Sequence, residues 1–155
     1  MTLTVYGQAQ SRAVRALWMV EELGIPYTHV PTRFADEAKG AEFRAVNPNG
    51  RVPTIDDDGF VVFESMAINL YLARKHRSPL APSELKHEAL ALQWSFWETD
   101  RLDRQITNYV NHSTGLPEAQ LKPAIAEAAW AEIVPAFDVL EVALGHSEWL
   151  AGPAF

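Results

Sequence analysis

Residues 47–72 read NPNGRVPTIDDDGFVVFESMAINLYL, and this stretch decides the fold. It runs as a turn, a Val52-Pro53 step, two short strands joined by an Asp-Gly turn, and a helix that opens at Glu64-Ser65. A residue before proline is held extended, and a proline at the start of a strand tolerates a cis bond. The N-terminus of the helix presents unpaired N–H groups and the positive end of a dipole, which suit a carboxylate. The pattern therefore predicts a site for a small anionic peptide.

The residues around this stretch alternate between strand and helix signals. Short β-branched and aromatic runs predict strands, and apolar residues at helical spacing predict helices between them. The predicted order is strand 2–6, helix 11–23, strand 27–30, helix 38–46, strands 54–56 and 60–62, and helix 64–76. This β-α-β-α-β-β-α order matches a thioredoxin-like fold, in which the first strand–helix–strand unit is a right-handed parallel crossover.

The sequence pattern changes from alternating strand and helix signals to helical signals after residue 77. Residues 78–83 contain two prolines and are predicted to be a linker, and two long helical patterns follow over 84–112 and 118–144. Pro135 lies inside the second pattern, where a proline removes a hydrogen bond or kinks the helix. We therefore expect an α/β domain over 1–77 and an all-α domain over 84–155.

Composition excludes several classes of protein. The 155 residues carry a net charge of −7 and no cysteine, which argues against nucleic acid as a partner and excludes disulfides, zinc-thiolate sites and CxxC redox pairs. The five histidines share no ligand spacing, so no metal site is predicted. No apolar run reaches 18 residues, and the N-terminus lacks the order of a signal peptide. We expect a soluble cytoplasmic protein without a membrane partner.

The motifs NPNGRVP and ESMAINLYLA resemble the glutathione-binding half of the glutathione S-transferase family, and the resemblance extends from Leu3 to Phe155. It implies that glutathione is the co-substrate. It also implies that Val52, before the cis-proline Pro53, pairs with the cysteinyl backbone of glutathione, and that Glu64 and Ser65 hold its γ-glutamyl end. Arg51 is a candidate for the glycyl carboxylate, with a surface position as the simpler account, and Lys39 is a weaker candidate.

A transferase of this kind presents glutathione as a thiolate, because the thiol is a poor nucleophile. Lowering a thiol pKa from about 8.5 to about 6.5 takes roughly 2.7 kcal/mol. One hydrogen bond to a charged group contributes about 1.5–3 kcal/mol, so one hydroxyl at the start of the first helix suffices. Ser11 occupies that place, although it is equally suited to cap the helix. The resemblance favours Ser11 as the catalytic residue. Tyr6, at the end of the first strand where other classes carry a catalytic tyrosine, ranks second because such a residue is more often buried packing.

The resemblance implies transfer of glutathione to a small hydrophobic electrophile and assembly as a homodimer. Two alternatives stay open: glutathione-dependent reduction of disulfides or peroxides, and a non-catalytic interaction module, since fold does not decide function. Family members generally continue past a segment like Trp149–Phe155 into further helices. We therefore expect the helical domain to be shortened, with more apolar surface than two helices can bury against each other.

Overall fold

A computed structural model describes residues 2–153 of the chain. Residues 1, 154 and 155 lie outside the described residues. The first residue of the predicted domain 1–77 and the last two of the predicted domain 84–155 and of the Trp149–Phe155 segment are therefore not described. The chain divides into two compact units between Ala81 and Pro82. This division falls within the predicted linker of residues 78–83, and the domain limits 1–77 and 84–155 stay a prediction.

The first unit carries a four-stranded sheet in the order β2-β1-β3-β4. The strands are β1 (Leu3–Tyr6), β2 (Thr28–Val30), β3 (Thr54–Asp57) and β4 (Phe60–Phe63). β2 runs parallel to β1, whereas β1 with β3 and β3 with β4 pair antiparallel. The parallel pair requires the crossover that the sequence predicts, and the thioredoxin-like arrangement is confirmed.

Three helices accompany this sheet. They are α1 (Ala13–Leu23), α2 (Ala41–Val46) and α3 (Ser65–Lys75). The helix predicted over 38–46 is interrupted, because Gly40 is extended between a 3-10 turn at Glu37–Lys39 and α2. The core lies between one face of the sheet and the helices α1 and α3. Its fully buried members are Val5, Ala16, Val20, Ile55, Ile68 and Leu72.

The second unit is helical. Its α-helices are α4 (Leu85–Trp97), α5 (Arg104–Val110) and α6 (Pro123–His146). The helix predicted over 84–112 is present as helical backbone, but π turns at Glu98–Asp103 and Asn111–Gly115 interrupt its pitch. The helix predicted to start at 118 starts at Pro123, because proline has no N–H to give to a preceding turn and suits the first helical position.

The long helix α6 continues through Pro135. Its buried side is a row of small residues with Ile133, packed against α5. Three residues at apolar positions of the helical pattern are each more than 40% exposed: Trp130, Val134 and Phe137. The described residues therefore leave part of the apolar surface of α6 exposed.

A buried carboxylate ties α3 to the sheet. Asp57, at the end of β3, is 5% exposed, and its Oδ2 accepts hydrogen bonds from the Tyr71 hydroxyl at 2.6 Å and from Lys75 Nζ. Burial raises the pKa of the Asp57 carboxyl, but the hydrogen bonds from Lys75 and Tyr71 together outweigh it, so this pKa lies below its ordinary value. The hydrogen bond to Asp57 in turn raises the pKa of Lys75.

These shifts predict how the free energy of unfolding depends on pH. The unfolded carboxyl has a pKa of about 3.9, so the contribution of Asp57 is complete above about pH 4 and is lost as the pH falls through its lower folded pKa. Lys75 contributes below about pH 10.4, and its contribution is lost at higher pH. We expect the free energy of unfolding to fall less steeply with decreasing pH in Asp57→Asn than in the wild type. Urea unfolding between about pH 2 and 6 measures this free energy. Asp138→Asn, on the exposed side of α6, is the control. Parallel curves for wild type and Asp57→Asn would contradict the assignment.

Candidate functional site

A polar cleft opens in the first unit where β3 and α3 begin. Its lining combines all five residues that the sequence assigns to glutathione with four others: Arg12, Asn47, Asn49, Arg51, Val52, Pro53, Phe63, Glu64 and Ser65. The Val52-Pro53 bond is cis, as predicted. Two guanidinium groups and one carboxylate belong to this lining, so the cleft is suited to an anionic ligand.

A buried amide, that of Asn47, helps to hold the loop that forms one wall. Asn47 is fully buried, and its Nδ2 donates to the carbonyl of Arg51 and to Thr54 Oγ1, both at 2.9 Å. Its Oδ1 accepts from the backbone N–H of Asn49 at 3.0 Å. Because these bonds join both ends of the loop, Asn47 fixes the path of the backbone that carries Arg51 and Val52.

The opposite wall is the N-terminus of α3. Glu64 precedes the helix with φ 73° and ψ 118°, and its side chain makes no capping hydrogen bond. A positive φ is strained for a residue with a side chain, and such strain persists only where the surrounding structure enforces it. Ser65 is 6% exposed, and its Oγ accepts from Arg15 Nη1 at 3.3 Å. While it accepts from Arg15, the Ser65 hydroxyl can still donate its own hydrogen, and it lies at the first turn of α3.

Ser11 lies in the turn before α1 and does not line the cleft, although its neighbour Arg12 does. Its hydroxyl donates to the carbonyl of Gln8 at 2.8 Å and accepts from the backbone N–H of Ala13 at 3.1 Å. The alternative role expected for Ser11, the N-cap of this helix, is met only in part: its hydroxyl accepts from the first N–H of α1, but the N-cap residue is Arg12. Its hydroxyl hydrogen must rotate away from Gln8 before it can donate elsewhere.

Tyr6 lies in a different place. It lines a groove between the end of β2 and α2, together with Val30, Phe43 and Val46, and its ring packs edge-on against Phe43 with centroids 5.7 Å apart. Lys39 is also outside the cleft lining. Its Nζ donates to the carbonyl of Gly50 at 2.5 Å. The structure thus brings together the five predicted binding residues in one lining, which does not include Ser11, Tyr6 or Lys39.

Four residues of this lining have no binding role predicted from the sequence. Asn49 and Asn47 lie within the quoted NPNGRVP motif, where an Asn before a Pro-Asn-Gly turn could have suggested an amide that holds the loop. Arg12 follows Ser11 directly, so its place could have been inferred from the same turn. Nothing in the sequence distinguishes Phe63 from an ordinary strand residue.

Comparison with known proteins identifies the family. The family model described as "Glutathione S-transferase, N-terminal domain" matches residues 1–74. Glutathione S-transferase F13 of Arabidopsis thaliana is 31% identical over an alignment that covers 100% of this chain and 74% of the plant protein. The chain belongs to the glutathione S-transferase family.

Other family members support the same placement. Rat glutathione S-transferase theta-1 is 30% identical, with 99% of this chain and 67% of the rat protein covered. Among solved structures, the theta class glutathione S-transferase from Xanthomonas axonopodis pv. citri, determined with glutathione bound, superposes with a TM-score of 0.92 and 32% identity, covering 99% of this chain and 75% of that one. The function of this chain is accordingly glutathione S-transferase-like.

Two kinds of feature are absent from residues 2–153. Over that range, no helix combines the length and the apolar character needed to cross a bilayer. Within the same residues, no cluster of three or more histidine or carboxylate side chains is arranged to hold a metal ion.

Proposed function

We propose that this family member binds glutathione in the cleft between residues 51–53 and the start of α3, and transfers its thiolate to a small hydrophobic electrophile. The observation that carries the proposal is the cleft itself, where the Val52-Pro53 step faces an uncapped helix N-terminus with Ser65 and two arginines nearby. Each wall matches one part of the tripeptide, since backbone groups recognise backbone and a helix N-terminus recognises a carboxylate.

The binding roles follow from the two walls. The backbone of Val52 pairs with the cysteinyl residue of glutathione. Ser65 donates its hydroxyl to the γ-glutamyl carboxylate, and Glu64 accepts from the γ-glutamyl ammonium, because these are opposite charges at the same end of the ligand. Arg51 is exposed at the rim of the cleft, where it reaches the glycyl carboxylate.

The reaction requires the glutathione thiol to lose its proton. We assign the stabilisation of the resulting thiolate to Ser11, with the guanidinium of Arg12 at the edge of the cleft adding positive potential. The hydroxyl of Ser11 exchanges its bond to the neutral Gln8 carbonyl for a bond to an anion, and such charge-assisted bonds are about twice as strong. The sulfur lone pair then forms a bond to the electrophilic carbon, the leaving group departs with its bonding pair, and solvent carries the proton away.

Binding of glutathione tests this proposal directly. Isothermal titration of the whole chain with glutathione should show one site, and Ser65→Ala should weaken binding by about 1–3 kcal/mol, the range for losing a hydrogen bond to a charged group. Ser83→Ala, an exposed serine outside the cleft, is the matched control and should bind as the wild type does.

The outcomes distinguish the functions considered above. A chain that does not bind glutathione would be an interaction module, and the proposal would be wrong. A chain that binds glutathione and reduces a mixed disulfide, but leaves a chlorinated aromatic unreacted, would be a reductase. A homodimer and a cytoplasmic location are further parts of the proposal, supported by the family to which the chain belongs.

A further inference from the structure

The two walls of the cleft are the N-terminal ends of two different elements. β3 begins directly after Pro53, and α3 begins at Ser65. The distance between Val52 and Ser65 therefore depends on how α3 lies on the sheet. The affinity for a ligand that contacts both walls therefore depends on any sliding or rotation of this helix.

Apolar packing holds α3 against the sheet, and directional hydrogen bonds add to the precision of that placement. Ile55 of β3 and Ile68 and Leu72 of α3 are fully buried in one cluster, but hydrophobic contact is non-directional. At the cleft end, the helix is preceded by Glu64, whose positive φ is held only by the surrounding structure. Ser65 accepts a hydrogen bond from Arg15 there, but this bond joins the helix to α1 and not to the strand that follows Val52.

An attachment between the helix and that strand lies at the far ends of the same two elements. Asp57 is the last residue of β3, about 13 Å along the strand from Pro53. Lys75 is the last residue of α3, about 15 Å along the helix from Ser65. The Asp57 carboxylate accepts from both Tyr71 and Lys75, so this cluster joins strand to helix at nearly the same distance from each wall.

We propose that Asp57, Tyr71 and Lys75 are positioning residues for the cleft: they fix α3 on β3 and thereby set the separation of Ser65 from Val52. This inference rests on the proposed function, since it concerns the affinity of the cleft for glutathione. None of the three residues lines the cleft, so they act through Ser65 and Val52.

Tyr71→Phe is the sharpest variant with which to test the cluster. It removes only the hydroxyl, and the ring keeps its contact with Phe60, whose centroid lies 5.4 Å away. We expect glutathione affinity to fall about 2- to 30-fold, the range for changes transmitted through a packed network. Tyr27→Phe is the matched control, because Tyr27 also donates to a carboxylate, Glu21 Oε1 at 2.7 Å, without joining the two walls. It should leave the affinity unchanged.

A double-mutant cycle separates positioning from a general loss of stability. If the cluster acts through Ser65, Tyr71→Phe should have little further effect on affinity in a Ser65→Ala background. Binding is measured by titration at a temperature at which urea unfolding shows every variant to be folded. Asp57→Asn, which keeps an acceptor but removes the charge, should also weaken binding. If it fails to fold, Tyr71→Phe decides the question.

The outcomes are distinct. If the wild type does not bind glutathione, the proposed function is wrong and this inference falls with it. If the wild type binds glutathione and Tyr71→Phe binds as tightly as Tyr27→Phe, the proposed function stands and the positioning role is wrong. An equal effect of Tyr71→Phe in the wild-type and Ser65→Ala backgrounds would likewise overturn the role through Ser65.

Discussion

Replacing Ser11 by alanine is expected to lower turnover about 10- to 150-fold while glutathione affinity changes little. The range corresponds to about 1.5–3 kcal/mol for one hydrogen bond to a charged group. The bond is formed only with the thiolate, so its loss raises the pKa of the bound thiol and moves the pH–rate profile to higher pH. Turnover is measured with a chlorinated aromatic electrophile across a pH series.

The control for this experiment is Ser11→Thr, which keeps a hydroxyl at the same position and should retain most of the activity. Ser11 also accepts from Ala13 N–H at the start of α1, so the free energy of unfolding is measured alongside. A Ser11→Ala variant that loses stability but keeps the wild-type pH–rate profile would limit Ser11 to a structural role. If Tyr6→Phe then shifted the profile, thiol activation would belong to Tyr6.

Replacing Gly7 by alanine is expected to destabilise the first unit by about 2–6 kcal/mol and to abolish glutathione binding. Gly7 has φ 132°, and an added Cβ would lie 2.5 Å from Ala13 Cβ and 3.1 Å from Val52 Cβ. Overpacking contributes about 1–3 kcal/mol, and a backbone conformation restricted to glycine adds about 1–3 kcal/mol. Ala13, at the start of α1, must move to relieve the clash, and Val52, in the cleft wall, must give way slightly as well.

Gly24→Ala is the matched control for Gly7→Ala. Gly24 also has a positive φ, 59°, but an added Cβ would meet no atom within 4 Å. We expect this variant to lose only about 1–2 kcal/mol from the left-handed conformation and to bind glutathione normally. Urea unfolding and titration measure both quantities. Equal losses in the two variants would show that backbone strain, and not the close approach of Ala13 and Val52, makes glycine necessary at position 7.

The sequence predicts the order of elements in the first unit because each has a local signal. Alternating apolar residues predict the strands, and Gly24 ends α1 in the left-handed conformation that glycine favours. Interruptions within helices have weaker signals. The π turn at Glu98–Asp103 follows from nothing in its composition, and the late start of α6 depends on Pro123, which a periodicity argument overlooks.

The site divides in the same way. The sequence predicts that residues 51–53 and 64–65 belong to one site because turn, proline and helix start occur in one short motif, and these residues do line one cleft. The residues alone leave Ser11 and Tyr6 open as thiol activators, and only the resemblance ranks Ser11 first, because either hydroxyl could serve and their placement relative to the thiol depends on the folded chain. The role of Asn47 could not be assigned, because its partners Arg51 and Thr54 become neighbours only after the loop closes around the amide.

The backbone of Glu64 sets a limit on how this chain can evolve. A residue with φ 73° lowers the stability of the fold, and a glycine there would relieve the strain. The same replacement would remove the carboxylate that lines the cleft. With the role proposed for Glu64, selection for thermal tolerance and selection for ligand affinity would act in opposite directions at this position, a trade-off characteristic of functional sites. Lineages under heat stress should gain their stability elsewhere in the chain and keep this strained residue.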